Sequence, residues 1–156
     1  HGGSEFTGAM KHFYGVLSMN DGGSGFRHYS GLGETVGKMA VLVQPPVLSI
    51  IDAIWVSHKA LGGYPASSTF KANWLAASQD PLALDYWAAK NILYPIDRNS
   101  SHHPDNSVIQ EWMGAAEKVI NERGGLFRRP GALFGSFVTK DENRMIVLSA
   151  PARKAG

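Results

Sequence analysis

The sequence predicts an α/β domain built on a mostly parallel sheet flanked by helices, and three observations carry that expectation. The run Val47-Leu48-Ser49-Ile50-Ile51-Asp52 is short, β-rich and almost continuously apolar, the pattern of a strand covered on both faces. A second short strand is expected from Ala72 to Ala77, and segments with helical spacing and helical caps alternate with these runs. Glycines crowd the first 33 residues, from Gly2 and Gly3 to Gly31 and Gly33, which is the chemistry of loops that turn sharply or pass close to a ligand.

Taken in order, Thr7 is positioned to cap a short helix through Ala9, Lys11 and Tyr14, with Gly15 as its stop. A second helix is expected from Glu34 to Val43, where Val36, Met39, Ala40 and Val43 share a face, and Pro45-Pro46 ends it. The strand at 47–52 then places Asp52 at its C-terminal end. A loop with Gly62, Gly63, Tyr64 and Pro65 leads to the second strand. Asp80-Pro81 is a strong helix start, an Asp cap followed by Pro at the first helical position, and the helix is expected to run to about Leu93. Ser107 and Gln110 form a capping-box pattern at the head of a helix through Trp112, Ala116 and Ile120, which Gly124-Gly125 closes. Phe134–Thr139 and Met145–Ser149 read as a C-terminal hairpin or an added edge strand, and residues 151–156 as a flexible tail after a single domain over 1–150.

Composition narrows the function. A net charge of +2, with Lys and Arg scattered, lacks the basic stripe that a phosphate backbone requires, so nucleic acid is not an expected partner. No apolar run approaches the roughly 20 residues of a membrane span. The absence of cysteine removes disulfides, thiolate zinc sites and iron–sulfur clusters from this segment. Compartment is left open.

The candidate chemistry lies at the glycine-rich front and at the strand end. Lys11, His1 and His28 sit in or beside glycine-rich backbone; Lys11 serves either as a clamp for an anion or as a nucleophile if burial lowers its pKa. Asp52 is expected at the mouth of a cleft beyond the sheet, where open α/β sheets bind ligands, with a turn-forming Asp as the alternative. Asp80 is explained as a helix cap. Asp85, among Leu84, Tyr86 and Trp87, needs a partner if it is buried. His102-His103, like His58, reads as an ordinary loop feature, and no metal site is assigned.

The stretches HGGSEFTGAMKHFYG, LSIIDAIW, GGYP and LAASQDPLALDYWAAK, in that order, resemble the family of domain of unknown function 362 from Gly2 to about Leu93. The resemblance implies that the chain is the C-terminal portion of a larger domain, whose N-terminal part completes the sheet and is a partner of this segment. Two departures stand out: Lys11-His12 where members commonly have Lys-Asn, and Gly63-Tyr64-Pro65 where they have a Gly-Pro turn. More distantly, the order His1, Lys11, His28 resembles the N-terminal domain of lactate racemase, in which the lysine holds a nickel pincer cofactor.

Together these readings give an expected small-molecule or cofactor-dependent enzyme. Its catalytic groups are Lys11, His28 and Asp52; its cofactor-binding positions are His1, Lys11 and Gly63, with the cofactor itself unspecified. The alternative is a non-catalytic module that holds an anionic ligand or a partner chain in the same cleft.

Overall fold

The computed structural model describes residues 4–16, 31–42, 46–57, 68–124 and 139–141. Strand β1 (Ser49–Ser57) pairs with β2 (Thr69–Ser78), Ser49 lying opposite Ser78 and Ser57 opposite Thr69. The pairing is antiparallel and, among the described residues, it is the whole sheet. The expected mostly parallel sheet is therefore corrected. The reason lies in the connection: residues 58–68 are too few for the crossover, of a dozen residues or more and usually helical, that parallel neighbours require. An apolar run marks a strand but says nothing about the direction of its neighbour.

β1 also extends five residues beyond Asp52, so this side chain sits mid-strand and exposed instead of at a strand end facing a cavity. Its local role is clear from the register. Ala53 faces Trp74 and Trp55 faces Lys71, which sets Ala72 and Asn73 against Ile54 alone. This is a β-bulge, with Asn73 at φ 57°, a left-handed conformation that Asn tolerates. The Asp52 carboxylate accepts the Ile54 amide at 3.0 Å, satisfying the residue that the register skips.

The helices follow their local signals more closely. Helix α1 (Ala9–His12) continues as a 3₁₀ turn over Phe13–Val16, and α2 spans Leu32–Leu42. Asp80 caps α3 (Pro81–Ala88) by accepting the amides of Leu82 and Ala83, with Pro81 in the first turn, as its sequence predicts. A π-turn over Ala89–Leu93 leads into α4 (Tyr94–Asp97). Pro95 accounts for the widening, because its ring displaces the carbonyl four residues back and it donates no amide. Helix α5 (Ser107–Gly124) begins where expected, but its cap is Asn106, whose Oδ1 accepts the Val108 amide; Gln110 instead reaches the Pro104 carbonyl.

The core gathers Met10 of α1, Leu32 and Val36 of α2, Leu82 and Tyr86 of α3, and Ile109, Trp112 and Met113 of α5. α2 lies hard against α5: a Cβ on Gly33 would collide with the Trp112 carbonyl, so only glycine permits this approach. The sheet joins the core through Ala53, and through Trp74, whose ring meets Trp87 edge-on at 5.5 Å. Among the described residues no helix is long and apolar enough to cross a membrane. The expected C-terminal hairpin lies outside the described residues except for Thr139, and the tail lies wholly outside them.

Candidate functional site

Four elements converge on Lys11. It stands on the four-residue helix α1, which is too short to persist without tertiary support. Thr7, the expected cap, is not used; Gly8 occupies the cap position and no side chain of its own segment bonds the free amides. That task falls to Asp85 of α3. Its Oδ1 accepts the Ala9 amide at 2.6 Å and its Oδ2 the Met10 amide at 2.9 Å, so a carboxylate 75 residues downstream caps α1. Gly8 makes this possible, since any Cβ there would strike the Asp85 carboxylate and the Phe6 ring. Asp85 is 0% exposed. Burial pushes its carboxyl up to about 7, against the two amides, which favour the ionised form.

The floor of the site is the turn Ser4-Glu5-Phe6. The Phe6 amide bonds the Ser4 carbonyl at 2.6 Å, closing a three-residue turn with Glu5 at φ 56°. For a non-glycine residue this conformation is strained, by roughly 1–3 kcal/mol, and such strain collects at functional sites. The turn is held by Trp112 of α5, whose indole Nε1 donates to the Ser4 carbonyl at 3.0 Å. So fixed, the Ser4 hydroxyl donates to the Phe6 carbonyl at 2.8 Å and accepts from Lys11 Nζ at 2.9 Å.

Lys11 is only 7% exposed. Among the described residues no carboxylate lies within salt-bridge distance of its amine. Burial disfavours the ammonium and brings its pKa down to about 8, which places a usable fraction of neutral amine near physiological pH. An amine in this state either donates to an anion as the ammonium or attacks an electrophile as the free base.

The other expected site residues fall differently. His1, His28 and Gly63 lie outside the described residues, as does His58. Asp52 is exposed, and its carboxylate accepts the Ile54 amide of its own strand. Ser4 and Trp112 are the members that sequence reasoning missed, and Asp85 was singled out without its partner. A carboxylate set among Leu84, Tyr86 and Trp87 signalled a buried partner for Asp85; for Ser4 and Trp112 the chain carries no comparable local signal.

Two further polar groupings lie elsewhere. His102 Nδ1 meets Asp97 Oδ2 at 2.6 Å and His103 packs edge-on against Tyr94, bracing the turn before α5. An open cleft of about 350 Å³ is lined by Tyr86, Asp105, Gln110, Glu117, Lys140 and Asp141. Its groups bond one another: Tyr86 Oη donates to Asp105 at 3.0 Å, and the Lys140 amine bonds Gln110. Among the described residues no three His, Asp or Glu side chains converge as a metal-binding group.

Fold and site together define an α/β protein with a buried lysine on a short, remotely capped helix. The chain belongs to the family described as domain of unknown function (DUF362), whose model matches residues 1–90. Ser4, Gly8, Lys11, Asp80 and Asp85 all fall inside that match, and the His102–Asp97 pair falls outside it. No curated protein and no solved structure matches the chain. Of the three residues that carry the likeness to lactate racemase, Lys11 alone is described.

Proposed function

We propose that this chain is a small-molecule or cofactor-dependent enzyme whose reacting group is Lys11. One observation carries the reading: among the described residues, the Lys11 amine is buried without a carboxylate within salt-bridge distance, and it donates to a hydroxyl, Ser4 Oγ, held on a strained turn. A lysine needed only for solubility belongs in water, and one needed only for structure takes an ion pair. Burying an amine without such a partner disfavours its charged form, and the protein bears that penalty where reactivity is required. Asp85, Gly8 and Trp112 supply the rigid support, locking the helix and the turn that flank the amine.

A second reading rests on the same amine. Below about pH 8 it is mostly an ammonium, and in that form it holds an anionic group without chemistry.

The test for both is ligand retention. Native mass spectrometry on protein purified without chelator, and thermal unfolding with inorganic phosphate and with pyruvate, are compared for wild type and Lys11→Ala. Added mass or a raised melting temperature that the variant loses, while its unliganded melting temperature stays within about 3 °C of wild type, supports Lys11 as the centre of the site. Equal retention by the variant refutes it.

A further inference from the structure

Resting on the reading of Lys11 as the reacting group, we propose that its substrate is an aldehyde or ketone, attacked by the Lys11 amine to form an imine, with Ser4 as the residue that positions the amine. The Ser4 hydroxyl has one proton, and the Phe6 carbonyl at 2.8 Å can only accept it. Lys11 Nζ, at 2.9 Å from the same oxygen, must therefore donate. In the neutral amine one N–H is thus committed to Ser4, and the lone pair points elsewhere. Ser4 orients the nitrogen without consuming the electrons a nucleophile needs.

The surroundings favour a neutral electrophile over an anion. The free amides at the start of α1 are natural donors for an anionic group, but those of Ala9 and Met10 are both taken by Asp85. A fully buried carboxyl stands where an anion's second contact belongs, and when ionised it repels one. The lowered basicity of Lys11 agrees: at pH 7 roughly a tenth of an amine titrating near 8 is neutral, about 300-fold more than for an ordinary lysine.

The step balances without an external oxidant or reductant. The amine nitrogen bonds to the carbonyl carbon, and a proton passes from nitrogen to the carbonyl oxygen, giving a carbinolamine. Loss of that hydroxyl with a second proton releases water and leaves the carbon–nitrogen double bond.

Acetaldehyde with sodium cyanoborohydride is the probe, since it is small, uncharged, and leaves a reduced ethyl group on any lysine that forms an imine. Peptide mapping of the intact 156-residue chain follows ethylation of Lys11 against the exposed Lys118. The proposal predicts that at pH 7 Lys11 is labelled at least about tenfold faster, and that its rate rises with pH and levels off above about 8. In Ser4→Ala the Lys11 rate should fall about tenfold or more, with Lys118 unchanged, because the nitrogen is no longer oriented. If that variant fails to fold, the wild-type rate ratio decides alone. Labelling of Lys11 no faster than Lys118 overturns the proposal. Should phosphate stabilise wild type but not Lys11→Ala while Lys11 resists ethylation, the imine falls and the Lys11 site stands as an anion site. Loss of both effects removes the underlying reading too.

Discussion

Asp85 is the residue on which the candidate site depends most, and its titration gives a signed prediction. Its folded-state pKa is raised from 3.8 to about 7, so the native protein binds this proton more tightly than the unfolded chain does. The resulting stabilisation is fully present below about pH 4 and is lost as pH rises through 7. In Asp85→Asn the side chain no longer titrates, and an amide group faces the Ala9 and Met10 donors. The stability advantage of wild type over this variant should therefore shrink by about 2–3 kcal/mol between pH 5 and pH 8, measured by urea unfolding. A constant difference across that range contradicts the assignment. At Gly8 the geometry is steric: Gly8→Ala drives a methyl into the Asp85 carboxylate and should cost about 1–3 kcal/mol, visible as a lowered urea midpoint.

At the scale of elements, local chemistry was readable and remote chemistry was not. Asp80-Pro81 starts a helix for reasons contained in a few residues, and α3 forms there. Asp80 also does what no local pattern shows, accepting the Thr139 amide on Oδ2 at 2.7 Å and so tying the 139–141 segment to α3. Asp80→Ala should accordingly cost about 2 kcal/mol, more than a cap alone, and calorimetry of the two proteins checks it. The α1 cap was misread for the same reason, because Thr7 is near in sequence but Asp85 is near in space. Gly33 reads in the chain as loop chemistry, yet it lies in α2 where the helix meets the Trp112 carbonyl. Lys11 was legible as a candidate because its glycine brackets lie beside it. Asp52 was misplaced because an apolar run does not reveal where a strand stops.

For the whole molecule, the parallel sheet was the largest misreading, because strands expected to end at Asp52 and resume at Ala72 leave a link long enough for a crossover, which the longer β1 and β2 shorten. The antiparallel pair leaves Ile50 59%, Ile54 44% and Leu75 69% exposed on one face. A two-stranded pair by itself is marginally stable, and lysines placed on its exposed apolar side test whether that side is covered. Ile50→Lys or Leu75→Lys should raise the solubility of the chain with little change in its unfolding midpoint; a drop of several degrees would show that the face is already packed.

The central claim is that the fold buries the Lys11 amine, with no ion pair among the described residues, so that its neutral form is available near neutral pH. An NMR titration of the lysine Cε–Hε resonances, with Lys11 assigned by Lys11→Arg, measures this directly. A midpoint near 8 is expected for Lys11. A midpoint of about 10.4, the value of a lysine in water, would contradict it.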